Sequence, residues 1–131
     1  MKTGAFSLTQ NEWLVLEVLW RAPSTLMELV HELGQEPPGW AKSTTATMVR
    51  RMEEKGLIRH EAGSKARVYH PALSRDETAL AETRTLLEKA FDGSVGLLVN
   101  TLIQQNSLTQ SDLDGLYEIL RQAEEGEEGA K

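Results

Sequence analysis

The chain contains no cysteine. Disulfides, zinc–thiolate sites and cysteine nucleophiles are therefore excluded. No apolar run approaches the roughly 20 residues that a membrane-crossing helix needs. The opening segment Met1–Ser7 also lacks a hydrophobic stretch of signal-peptide length. A soluble, cytoplasmic protein with no membrane insertion is expected. Nucleophile elbows, phosphate loops and metal-binding motifs are missing as well. Glu12, Glu28 and Glu77 each stand three residues after a threonine or serine, where a carboxylate is used to cap a helix rather than to catalyse. An enzyme is not expected, nor any cofactor. Of the three histidines, His60 and His70 could face each other across a hairpin. Two imidazoles without a thiolate or a placed carboxylate make a poor metal site, so no metal is expected.

What is present is an uneven distribution of charge. The 131 residues carry a net charge of −6 and are long enough for one core and a small appendage. Residues 1–73 sum to +1 and residues 74–131 to −7. Within the first part, residues 40–70 hold seven cations and three anions, a net of +4. A cationic island in an acidic chain calls for a polyanion. The acidic half would be repelled by that polyanion and is expected to face away from it.

The island coincides with the stretch around which the chain is organised, WAKSTTATMVRRMEEKGLIRHEAGSKARVYHP from Trp40 to Pro71. At about 100° per residue, Ser43, Thr44, Thr47, Arg50 and Arg51 share one side of a helix beginning near Lys42 or Ser43. Thr45, Met48, Val49 and Met52 share the other. Short donors near the N-terminus with arginines behind them suit a nucleic-acid groove, the short side chains allowing close approach and the arginines reaching phosphate or guanine. Gly56 ends the helix. Two strands, Leu57–His60 and Arg67–His70, then flank a polar tip, Glu61–Ala66. Lys65 and Arg67 are wing candidates for phosphate.

The remaining elements fall in order around this stretch. Thr9-Gln10-Asn11-Glu12 is a capping box opening a helix over about residues 10–21 that is apolar nearly all round. Its Trp13 and Trp20 are read as core. Thr25–Glu28 is a second capping box, opening a helix to about Leu33, with Leu26, Leu29, Val30 and Leu33 inward. Gln35 to Gly39 is a turn. Helix, helix, turn, helix and hairpin is the winged helix-turn-helix plan. Ser74–Glu77 is a third capping box, for a helix over 75–91 with Leu80, Thr83, Leu87 and Phe91 on one stripe. A short helix over 95–105 carries Leu98 and Leu102. A last helix, capped by Thr109 and Asp112, sets Leu113, Leu116, Tyr117 and Leu120 at i, i+3, i+4, i+7. The fold class expected is mainly α with a small β-hairpin wing. A winged-helix DNA-binding domain is expected over 1–73, a helical dimerisation region over 74–124 and a disordered acidic tail over 125–131. A small winged-helix core cannot cover so many apolar stripes, and each large side chain left exposed forgoes roughly 1.5–3 kcal/mol. A homodimer buried through Leu87, Phe91, Leu98, Leu102, Leu113, Leu116, Tyr117 and Leu120 resolves this. A two-fold dimer also sets two reading helices about 34 Å apart on double-stranded DNA. The alternative is a winged-helix module that binds protein and leaves its cationic face idle.

The opening LTQNEWLVLEVLW, the central STTATMVRRMEEKGLIRH, the wing ending RVYHP and the following SRDE, in this order and spacing, resemble the BlaI/MecI/CopY penicillinase-repressor family of bacterial winged-helix regulators. The similarity runs from about Leu8 to Leu120. It implies a transcriptional repressor that binds an inverted-repeat operator as a homodimer. It also implies that Lys42, Ser43, Thr44, Thr47, Arg50, Arg51, Lys65 and Arg67 lie at the DNA. Some members carry lysine at the Ser43 position and arginine at the Ala46 position, so an altered sequence preference or fewer direct base contacts are expected here. In the antibiotic-responsive branch a membrane sensor protease leads to cleavage of an Asn-Phe bond in the dimerisation region. The matching bond is Asn100–Thr101, with threonine in place of phenylalanine. The copper-responsive branch uses a C-terminal cysteine pair, which this chain lacks.

Overall fold

The structure is a computed structural model that describes residues 7–61 and 65–129. The opening segment, the middle of the expected hairpin tip and the last two residues of the expected tail lie outside the described residues. Helix α1 spans Gln10–Arg21. Its capping box closes in both directions, the Thr9 hydroxyl accepting from the Glu12 N–H at 3.1 Å and the Glu12 carboxylate from the Thr9 N–H at 2.9 Å. Thr25 and Glu28 repeat the device at α2, Leu26–Leu33. The helix of the cationic stretch is α3, Lys42–Glu54, which begins one residue earlier than Ser43 and has Ala41 at its N-cap. Gly56, at φ +82°, closes α3. The Leu57 N–H donates back to the Met52 carbonyl at 2.9 Å and the Gly56 N–H to that of Glu53 at 3.0 Å, the paired bonds of a Schellman stop.

The wing strands are β2, Ile58–Glu61, and β3, Val68–Pro71, each one residue later than expected. A third strand, β1, Ser24–Thr25, was not legible in the sequence, because two residues show no period. It exists through pairing alone, Ser24 with Tyr69 and Thr25 with Val68, so the antiparallel sheet runs β1-β3-β2. Register corrects the expected histidine pair. His60 lies opposite Tyr69 and His70 opposite Arg59. A one-residue offset puts the two rings on opposite faces of the hairpin. Val15, Leu16 and Leu19 of α1 meet Leu29 and Leu33 of α2, Val49 and Met52 of α3, and Ile58 and Tyr69 of the wing in one core. Trp13 and Trp20, expected in the core, are only half-buried: Trp20 packs against the core's edge and meets Trp13 edge-to-face, with ring centroids 5.4 Å apart.

Helix α4, Arg75–Phe91, opens on the third capping box, with bonds of 2.9 and 3.0 Å between Ser74 and Glu77. Three contacts hold its first half to the winged helix. The Trp20 indole N–H donates to the Leu73 carbonyl at 2.9 Å, Arg75 pairs with Glu17 at 2.5 Å, and the Leu8 N–H donates to Glu82 at 2.7 Å. Thr78 is buried there. The chain accordingly groups into two compact units, Met1–Thr85 and Leu86–Lys131. The boundary falls inside α4, later than the change in composition at Ser74.

The second unit holds the end of α4, helix α5, Val95–Gln104, and helix α6, Gln110–Gly129. Ser94 caps α5 and Thr109 with Asp112 caps α6. Helix α6 continues to Gly129, past residue 124 where ordered structure was expected to end. Arg121 braces the last described turns, pairing with Glu118 and Glu125, each at 2.5 Å and one helical turn away. Among the described residues no helix is long and apolar enough to cross a membrane.

Candidate nucleic-acid interface

Helix α3 separates its two faces as the wheel predicts except at Met48, which is half-buried at the edge of the core and also reaches the outer face. Thr45, Val49 and Met52 are buried against α1 and α2, while Lys42, Ser43, Thr44, Arg50 and Arg51 are exposed and Thr47 is half-buried. Ser43, Thr44, Thr47, Met48 and Arg51 together line a shallow depression of about 280 Å³ on the outer face. Its lining combines three hydroxyls and a guanidinium with the Met48 thioether, and the four polar groups can donate to the acceptor edges of bases and to phosphate oxygens. Arg50 makes one ion pair, to Glu54 at 3.6 Å, with both groups about two-thirds exposed. A pair that exposed is worth a few tenths of a kcal/mol and is readily exchanged for a phosphate.

The start of α3 carries a signal that the residue-by-residue reading missed. Thr9, Thr25, Ser74, Ser94 and Thr109 each place a hydroxyl on the first turn of the helix that follows. Ala41 places none, and the first turn of α3 has Lys42 where other helices have a carboxylate. The positive end of the helix dipole is thus left to an external acceptor. The sequence shows it as the one helix start without a Ser/Thr-x-x-Glu/Asp or Ser/Thr cap.

Lys65 and Arg67 are exposed on the wing. Arg67 lies on the α2 side, lining with Thr25, Leu26, Met27, Ala66 and Tyr69 a cleft of about 440 Å³. Strand β2 lies on the other side, as the edge strand joined to α3. There the His60 Nδ1 bonds the Glu53 carboxylate of α3, and the ring meets Tyr69 edge-on at 5.8 Å. His70 Nε2 lies 3.4 Å from the Glu61 carboxylate on the outer face. Among the described residues no three histidine, aspartate or glutamate side chains converge as a metal cluster.

The stripe residues expected to pair two copies lie on α4, α5 and α6. Leu87, Phe91, Leu98, Leu102, Leu113 and Leu116 are half-buried, and Tyr117 and Leu120 are 72% and 61% exposed. No described residue of α5 or α6 is buried. Leu98, Leu102, Leu108, Leu116 and Ile119 line an open apolar groove of about 550 Å³ between the two helices. Asn100 and Thr101 sit mid-way along α5, with Asn100 exposed and the Thr101 hydroxyl donating to the Leu97 carbonyl at 2.8 Å.

Over 120 residues the chain is 21% identical to the methicillin resistance regulatory protein MecI of Staphylococcus aureus strain N315, covering 92% of this chain and 98% of that one. It is 23% identical over 116 residues to the penicillinase repressor of Bacillus licheniformis, covering 88% and 90%. A solved structure of a Lactococcus lactis ZitR variant aligns over 93% of this chain and 77% of that chain, at 14% identity and a TM-score of 0.45. The family model described as penicillinase repressor matches residues 8–122. With nearly the whole winged helix, α4, α5 and the larger part of α6 inside that match, the chain belongs to the penicillinase repressor, or BlaI/MecI, family of transcriptional repressors.

Proposed function

We propose that the protein represses transcription by binding a two-fold operator in double-stranded DNA as a homodimer, residues 1–73 reading the DNA and the helices of 74–124 joining the copies. The observation that carries this is the solvent face of α3, where Lys42, Ser43, Thr44, Arg50 and Arg51 are all exposed while the opposite face fills the core. In this proposal Ser43, Thr44 and Thr47 approach base edges. Arg50, Arg51, Lys42 and the wing cations Lys65 and Arg67 meet phosphates, and the uncapped start of α3 receives one more. Occupation of the operator excludes polymerase from the promoter, in the cytoplasm. Pairing of copies is supported by α5 and α6, which bury no described residue and leave Val95, Leu97, Ile103, Tyr117, Ile119 and Leu120 exposed. A second copy removes such a surface from water, each large side chain contributing roughly 1.5–3 kcal/mol if fully covered.

The test is selection of bound duplexes from a random pool at physiological salt. A two-fold motif with half-sites about one helical turn apart is the expected result. No enrichment by a folded chain would overturn the proposal in favour of a protein-binding winged helix.

A further inference from the structure

The hydrogen bond between His60 and Glu53 is the one side-chain bond among the described residues that ties the wing to the reading helix. Glu53 lies one residue before the end of α3, and His60 is the last residue of β2 on its core face, since Glu61 turns to the other side. Lys65 and Arg67 lie just before β3, the strand paired with β2. The ring is held from two directions, by the Glu53 carboxylate and by the edge of buried Tyr69, at an interplanar angle of 64°. Both partners of the bond are 29% exposed, so water is largely kept from it. Besides the core that Val49 and Met52 share with Ile58 and Tyr69, α3 and β2 are joined by the short Lys55-Gly56-Leu57 connection, whose glycine sits at φ +82°.

We infer that Glu53 and His60 are positioning residues for DNA binding: their bridge sets the wing's angle to α3, so that Lys65 and Arg67 reach the backbone of the same duplex that α3 reads. Neither residue needs to touch DNA. This inference rests on the DNA-binding proposal above and adds a distance-setting element to it. Rigid presentation matters because a phosphate contact counts only when its cation and the reading helix are seated together.

The experiment measures the slope of log affinity against log salt on the selected duplex, where each phosphate contact contributes about 0.9. His60→Ala and Glu53→Leu are each expected to reduce the slope by about two units, as does the Lys65→Ala, Arg67→Ala pair. Adding His60→Ala to that pair is expected to reduce it no further. Glu53→Gln keeps an oxygen for the ring N–H and is expected to hold the wild-type slope. Melting curves confirm that each variant is folded, and Glu53→Leu attacks the bridge from the helix side should His60→Ala fail to fold. A wild-type slope in folded His60→Ala or Glu53→Leu would overturn the inference alone. So would a loss that adds in full to that of the wing pair. Absence of duplex binding by the wild type would overturn the DNA proposal, and the inference with it.

Discussion

Lys55, the C-cap residue of α3, places its ammonium on the carboxylate of Glu12 in the first turn of α1. Glu12 is only 5% exposed and already caps α1 through the Thr9 N–H. One carboxylate thus fixes a helix start and binds the far end of the reading helix to it. Burial pushes its pKa up, but the Lys55 hydrogen bond and charge and the Thr9 bonds outweigh this and hold it below the usual value of 4.5.

A folded-state pKa below the unfolded one means that Glu12 adds stability at pH values above about 4.5, lost as pH falls through the folded pKa. Melting temperatures of the wild type and of Glu12→Gln should therefore differ most near neutral pH and converge as the pH falls below the usual carboxylate value of 4.5. Lys55→Met, which leaves the carboxylate buried without its partner, is expected to cost about 1–2 kcal/mol, less than a fully buried pair because the ammonium is half exposed. A pH-independent gap between wild type and Glu12→Gln would remove the ion pair from the account of stability.

Replacing Arg50 and Arg51 together with alanine should leave the melting temperature nearly unchanged, since both side chains are exposed and their one ion pair is weak. Duplex affinity should collapse, with the salt slope falling by about two units. Titrations at several salt concentrations measure this. Normal binding by the folded variant would move the interface off α3.

Tyr117 and Leu120 lie on the most exposed part of the α6 stripe. Tyr117→Glu with Leu120→Glu is expected to yield monomers in sedimentation velocity and to weaken operator binding. Unfolding of the winged-helix unit should shift by no more than about 0.5 kcal/mol. Leu116→Glu should act in the same direction, but it also disturbs the α5–α6 groove that Leu116 lines. A double variant that still sediments as a dimer would place the interface elsewhere.

Thr45 is fully buried behind the exposed face of α3, and its hydroxyl has no hydrogen-bond partner among the described residues. Valine has the same shape without the polar atom. Thr45→Val is expected to stabilise the unit by about 1 kcal/mol, raising the melting temperature by roughly 4–8 °C, with duplex affinity unchanged. A lower melting temperature would show that the hydroxyl does find a partner in solution.

The sequence by itself determined the helices and the faces of α3, because both depend on information local to a few turns. Thr9 and Glu12, Thr25 and Glu28, and Ser74 and Glu77 stand at the spacing of reciprocal caps, and α1, α2 and α4 begin where those pairs direct. The 100° period separates Arg50 and Arg51 from Val49 and Met52 with no knowledge of neighbours. Tertiary structure alone decided what depends on pairing between distant segments. Strand β1 exists because Ser24 and Thr25 meet Tyr69 and Val68, more than forty residues away. The one-residue register of the hairpin sends His60 inward to Glu53 and His70 outward to Glu61, where the sequence set them face to face. Glu12 looked like a capping residue and nothing more, and Lys55 like one cation among seven. Their contact needs α1 and α3 packed on a shared core, and no local pattern encodes that.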